Sequence, residues 1–177
     1  MTQEGSETIE TKRCIMTPTR VEDAPFIYRL LNTPSWKRFI GDRGISSIED
    51  AADYIAGKML PQRARLGFSN FTITLRSTGE PIGTCGLFDR DGVEGVDLGM
   101  AFLPEFEGKG YASETCEAMI QAAFERFNQP KVSAITLPEN TNARNLLKRL
   151  GMVKKGSVVL PNETTSLLYF EIFPAAN

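Results

Sequence analysis

The sequence predicts an α+β fold, a single domain built on one mixed, mostly antiparallel sheet flanked by helices, in the order β-α-α-β-β-β-α-β-α-β-β. Three observations predict it. Strand-like alternation recurs in consecutive segments between residues 68 and 103, a long segment of helical period follows from Ala112 to Phe127, and shorter strand and helix patterns trade places after that. A chain of 177 residues with 41% hydrophobic content is about one domain with a real core.

Residues Met1 to Thr8 carry no pattern and read as a mobile tail, which leaves 9–177 as the domain. Ile9 to Met16 is short and partly apolar, as an edge strand would be. Pro18 breaks it, Asp23 offers a capping oxygen, Pro25 fits a first helical turn, and Phe26, Ile27, Leu30 and Leu31 form one face of a first helix. Asn32 to Ile45 is too irregular to assign. Ser46-Ser47-Ile48-Glu49-Asp50 has capping-box spacing, and Ile48, Ala51, Ala52, Ile55, Met59 and Leu60 recur as a second helix requires.

Phe68 to Leu75 and Ile82 to Phe88 make a hairpin around Ser77-Thr78-Gly79-Glu80. Asp91-Gly92 turns the chain into a third antiparallel strand, Val96 to Leu103, which Pro104 ends by removing a backbone donor. The long helix follows. Lys131 to Leu137 is then a strand stopped at Pro138, and Ala143, Leu146, Leu147 and Leu150 mark a short helix closed by Gly151. Lys154 to Leu160 and Thr165 to Phe173 are two last strands around Pro161-Asn162-Glu163.

Composition excludes several functions. Net charge is −2 and the pI about 5.4, with lysines and arginines scattered, so there is no basic field for nucleic acid. No apolar run approaches the roughly 20 residues of a membrane span, and Met1 to Glu10 is polar and acidic, unlike a signal peptide. A cytoplasmic location is expected. Cys14, Cys85 and Cys116 are odd in number and fall on two strands and a helix face, the pattern of reduced core thiols. With no histidine and only isolated cysteines, no metal site is expected.

The junction between third strand and long helix carries the chemistry. Glu107-Gly108-Lys109-Gly110-Tyr111-Ala112 brings backbone close to a ligand without Cβ atoms in the way. The first amides of the following helix lack intrahelical partners and sit at the positive end of its dipole, where phosphate oxygens fit. An ordinary turn also uses two glycines, so the pair alone decides nothing. A Walker loop is excluded by its missing Gly-Lys-Ser/Thr run. The dinucleotide fingerprint lacks the acidic strand end that must follow it.

The run Asp97-Leu98-Gly99-Met100-Ala101-Phe102-Leu103-Pro104-Glu105-Phe106-Glu107-Gly108-Lys109-Gly110-Tyr111-Ala112-Ser113-Glu114 resembles the acyl-CoA signature of the GNAT N-acyltransferases, in the branch typified by RimJ and RimL, which acetylate ribosomal-protein N-termini. Asn140-Thr141-Asn142-Ala143-Arg144-Asn145-Leu146-Leu147-Lys148-Arg149-Leu150-Gly151-Met152 resembles a second segment of the same family, in the same order and spacing. Weaker likeness runs from about Thr11 to Phe173.

The resemblance implies a GNAT-like domain that moves an acetyl group from acetyl-CoA directly to a primary amine, either a protein N-terminal α-amine or a small-molecule amine. It assigns acetyl-CoA to Glu107, Gly108, Lys109, Gly110, Tyr111, Ala112 and Ser113, to the strand backbone of Met100, Ala101 and Phe102, and to Asn140, with Asn145 as a helper. An α-ammonium with a pKa of about 7.7–8.0 must lose a proton before attack. Asp97 is the first candidate base and Glu94, nearer the mouth of the strand, the second, and either can instead be a solvated charge at a strand end. Glu114, in a first helical turn, is a dipole partner.

Departures from the family pattern leave a second reading open. Glu107 stands where Gln or Arg often opens the loop, Leu147 where many members carry a tyrosine acid, and Ala143 where the RimL-like pattern has Ser. A CoA-binding module without catalysis is therefore the alternative, and a purely structural interaction domain is the third. Tyr111 and Tyr169 are two of the four tyrosines, both read as structural. By the resemblance, acceptor specificity would come from Asn32 to Ile45 and from Gly156 to Thr165; Trp36, Arg38 and Phe39 can line that cleft, or, the favoured reading, simply pack. The chain is expected to act as a monomer or a homodimer.

Overall fold

The computed structural model describes residues 7–176, which form one eight-stranded mixed sheet with helices on both faces. The expected α+β architecture holds. In chain order the elements are β1 (Ile9–Glu10), β2 (Cys14–Pro18), α1 (Ala24–Leu31), α2 (Pro34–Phe39), α3 (Ile48–Tyr54), α4 (Leu60–Leu66), β3 (Asn70–Leu75), β4 (Pro81–Asp89), β5 (Val96–Phe102), α5 (Tyr111–Glu125), β6 (Val132–Thr136), α6 (Thr141–Arg149), β7 (Val153–Val158) and β8 (Leu167–Ile172). The strands lie in the order β1-β2-β3-β4-β5-β6-β8-β7, and every pairing is antiparallel except β5 with β6.

Several local expectations are corrected. The single edge strand from Ile9 to Met16 is a small hairpin, β1 and β2, with Thr11 to Arg13 turning between them and Thr11 N–H donating to Cys14 O at 2.9 Å. Asp23 does not cap α1. Its carboxylate instead accepts from Arg20 N–H at 3.0 Å and from the Thr72 hydroxyl at 3.1 Å, tying the preceding turn to β3. The irregular stretch from Asn32 holds a short helix, α2, whose cap is the Thr33 hydroxyl accepting from Trp36 N–H at 3.3 Å.

The second helix runs to Leu66, past its expected end at Leu60, because a wide turn at Ile55–Met59 joins α3 to α4. Pro61 has no N–H for an ordinary helical bond and its ring crowds the carbonyl four residues back. The chain accommodates it by widening, and Leu60 N–H reaches Ile55 O. Of the expected tail, residues 1–6 lie outside the described residues, while the Glu7 carboxylate meets Arg63 at 2.5 Å and Thr8 O accepts from Arg126 at 3.0 Å. No helix among the described residues is long and apolar enough to cross a membrane.

The core divides between the two faces. Under α5 and α6 lie Ile73, Leu87, Val96, Leu98 and Phe102 with Cys116, Met119 and Ile120, whereas Leu103 and Ala101 pack on the other face against Ile27, Leu30, Ala51 and Ile55. Cys14, Cys85 and Cys116 are buried free thiols within the first cluster, as expected. Strand alternation makes this split: even-numbered residues of β5 face α5, and Asp97, Gly99 and Ala101 face the other way.

Gly86 is where β3 and β4 tolerate no side chain, since a Cβ there would lie 2.6 Å from Ser69 O and 2.8 Å from Asn70 Cα, both backbone. Gly86→Ala is expected to cost about 1–3 kcal/mol through overpacking. A urea denaturation midpoint equal to wild type would refute that reading of the strand contact.

Candidate active site

β5 and β6 run parallel for only two registers, Val96 with Val132 and Asp97 with Ser133. Beyond these the strands part, β6 keeping its full pairing to β8 and β5 its full pairing to β4. The direction of each β5 amide follows from one bond. Leu103 N–H donates to Ile82 O at 2.9 Å, so by alternation residues 97, 99 and 101 exchange hydrogen bonds with β4. The N–H groups of Met100 and Phe102 then point into the opening, with no strand beside them among the described residues. Ala101, expected to contribute with them, has its amide committed to Thr84 on β4.

The glycine loop closes the same end of the opening, because both β5 and β6 deliver their chains there, into α5 and α6. Pro104–Phe106 forms a single tight turn after β5, and Gly108 and Gly110 follow with φ of 72° and 84°. Those left-handed angles cost a residue with a Cβ about 1 kcal/mol or more. Gly110 is the N-cap of α5 and has no side chain to offer, so the first turn closes only through Glu114 N–H to Gly110 O at 3.2 Å. None of the backbone N–H groups from Gly108 to Ser113 donates a hydrogen bond among the described residues. Exposed amides at a helix N-terminus beside an unpaired strand edge make an anion site.

The remaining predicted residues take distinct positions. Lys109 is exposed, its ammonium 5.8 Å from the Phe106 ring. Glu107 is exposed, and desolvation by the surrounding loop raises its carboxyl. Asn140 caps α6, its Oδ1 accepting from Ala143 N–H at 3.2 Å, and its amide nitrogen donates to no group among the described residues. Asn145 is exposed on α6. Trp36 packs against the α1 and α3 cluster, and Arg38 lies 4.7 Å over the Phe39 ring.

Asp97 is 1% exposed on the face of the sheet away from α5 and accepts from Arg90 Nε at 3.2 Å. Burial raises its carboxyl above the ordinary value, with Arg90 opposing. Its register partner Ser133 is fully buried and bonded at 3.0 Å to the Tyr169 hydroxyl. Tyr169 in turn accepts from Lys131 Nζ and donates to Glu171, both at 3.2 Å, and the Tyr169 bond raises Lys131. Glu94 is exposed in the turn before β5, at the end of the strand away from the glycine loop.

Sequence reasoning missed Arg90, Lys131, Ser133 and Glu171, and set Tyr169 aside. Their two-residue spacing along β6 and β8 was a readable signal, but the pairing of β6 with β8 beside Asp97 was not. It also missed Arg13, whose side chain meets Glu114 across 101 residues of sequence.

Residues 13–153 match the Acetyltransferase (GNAT) domain family. The chain belongs to the GNAT acetyltransferases. Within that family it is 30% identical over 152 residues to an uncharacterised N-acetyltransferase, p20, of Bacillus licheniformis, covering 85% of this chain and 84% of the relative. Its fold superposes on that of RimL, a ribosomal L7/L12 α-N-protein acetyltransferase in complex with coenzyme A, with TM-score 0.82 and 14% identity, over 97% of this chain and 100% of that one. A GNAT acetyltransferase from Bacillus anthracis superposes with TM-score 0.77 and 22% identity over 94% and 98% of the two chains. The GNAT domain has no cluster of metal-ligating side chains among its described residues.

Asp97 and Glu114 titrate in opposite senses. Folding raises Asp97, so its favourable contribution belongs to the protonated form and is lost as pH rises through the raised value. Burial of Glu114 is outweighed by hydrogen bonds from Thr11 and Arg13 that lower it, so its contribution is present above the ordinary carboxylate pKa and lost as pH falls through the lowered value. Melting curves between about pH 3 and pH 7 should show Asp97→Asn gaining on wild type as pH rises. Glu114→Gln should lag most at neutral pH and converge in acid. Curves that stay parallel to wild type would contradict both environments.

Proposed function

We propose that this GNAT domain transfers an acetyl group from acetyl-CoA to a primary amine, a protein N-terminal α-amine or a small-molecule amine, as a RimJ/RimL-like enzyme acting in the cytoplasm. The observation that carries the proposal is the run of undonated amides from Gly108 to Ser113, joined to the open edge of β5 at Met100 and Phe102. The first suits a pyrophosphate. The second suits a thioester carbonyl, whose oxygen gains charge when the amine attacks.

In this mechanism the neutral amine nitrogen attacks the thioester carbon, the C–S bond breaks, and the thiolate of CoA leaves with a pKa low enough, about 8.5 for a thiol, to need no strong acid. Family positions for a proton donor are Leu147 and Ala143, neither of which can serve. Asp97 takes the ammonium proton. It lies about 10 Å along the strand from Met100, at roughly 3.3 Å per residue, so the proton reaches it through water. Burial raises its carboxyl above the ordinary value, which makes it a stronger proton acceptor than a solvated aspartate, and Arg90 holds its orientation. Asn140, whose amide nitrogen donates to no group among the described residues, and Asn145 border the cofactor from α6. The half-buried Tyr169 and Glu171, beside the buried Ser133, form the floor on which the acceptor approaches.

Calorimetric titration should show acetyl-CoA binding that Gly110→Asp abolishes, since the substitution adds a strained Cβ and a negative charge beside the phosphates. Unchanged affinity would take the loop out of the site. With an acceptor found by thiol release across a panel of amines and peptides, Asp97→Asn should lower the rate by roughly 10²–10⁴-fold at nearly constant acetyl-CoA affinity. Loss in Glu94→Gln instead would move the base to Glu94. Binding without thiol release for any acceptor would favour the non-catalytic CoA module.

A further inference from the structure

We infer that Arg13, in the turn between β1 and β2, is a positioning residue for acyl-CoA binding that sets the direction of the Gly110 N–H. The inference rests on the reading of the glycine loop as the phosphate site. Arg13 Nη1 donates to Lys109 O at 3.0 Å, the one hydrogen bond that this carbonyl accepts among the described residues. In a planar trans peptide the carbonyl of one residue and the N–H of the next point in opposite directions. Holding Lys109 O toward Arg13 therefore aims Gly110 N–H away from it, out of the loop.

This control is needed because the peptide is otherwise free to turn. Gly110 tolerates positive and negative φ alike, has no side chain to lock it, and follows Gly108, which is equally permissive. Arg13 itself is fixed. Its Nε donates to Glu114 Oε1 at 2.8 Å, its backbone N–H to Glu114 Oε2 at 2.9 Å, and its guanidinium lies 4.3 Å from the centre of the Tyr111 ring. Glu114 is also bonded to the Thr11 hydroxyl at 2.6 Å. The β1–β2 turn thus grips the start of α5 through Glu114, and from that grip Arg13 reaches the peptide before it. With Glu107 at the opening of the loop, no side-chain amide or guanidinium stands there to compensate for a misdirected backbone donor.

The test uses the full chain as wild type, Arg13→Lys and Arg13→Ala, titrated calorimetrically with acetyl-CoA, with melting temperature and the Gly110 amide resonance recorded for each. Lysine keeps the charge and one contact to Glu114 but cannot also fork to Lys109 O. Both variants are expected to weaken binding by roughly ten-fold, the scale of one charge-assisted hydrogen bond. Arg13→Lys should do so with a melting temperature near wild type, and with a smaller shift of the Gly110 amide proton on adding acetyl-CoA. Wild-type affinity in Arg13→Lys overturns the inference and leaves the loop assignment standing. If wild type itself binds no acetyl-CoA, the loop assignment falls, and the inference falls with it. Should Arg13→Ala not fold, Arg13→Lys alone decides.

Discussion

A buried backbone N–H must have a partner, and the sheet leaves that requirement open along one line, the side of β5 that faces β6 beyond Asp97. The proposed site is arranged around this line. β4 secures the other side of β5 along its whole length, so the open side is rigid rather than frayed. The chain leaves β5 through a loop whose glycines expose further amides, and the same end of β6 leads into α6. The fold therefore concentrates its unspent donors in one place, the place that the proposed function gives to a thioester and a pyrophosphate.

Alternation along β5 divides the work of adjacent residues. Leu98 and Phe102 bury their side chains under α5, and it is the even-numbered residues whose amides face the opening. Asp97 belongs to the other set, with its amide spent on β4 and its side chain on the face away from α5, against Arg90. The sheet thus keeps the carboxylate apart from the open amides. In the proposed mechanism this separates the base from the developing oxyanion and avoids like-charge repulsion between them.

Most of the sheet and the glycine loop were legible in the sequence, for local reasons. Strand alternation, Pro104, the two glycines and the apolar face of α5 are all written within about thirty residues of one another, and short-range physics decides each. The hairpin β1–β2, the widened turn before Pro61 and the role of Asp23 were not legible, because each depends on a partner far away or on a compromise between competing bonds. The same limit hid the site's support. Ser133 beside Asp97 and Arg13 beside Lys109 are neighbours only once the sheet is assembled, and no pattern near either residue announces the meeting. Leu147 and Ala143, by contrast, were visible as departures and remain so, with nothing on α6 to replace a proton donor.

The two-residue period of β5 also bears on how such a chain can change length. Inserting or deleting one residue inside Val96–Phe102 would reverse, for the residues on one side of the change, which side chains face α5 and which amides face β4. Asp97 and the open amides of Met100 and Phe102 would lose their common register in a single step, and no compensating substitution at one position restores it. Length variation among descendants of this chain is consequently expected in the turns on either side, Asp91–Gly95 and the loop after Phe102, while the seven residues between them are expected to change by substitution.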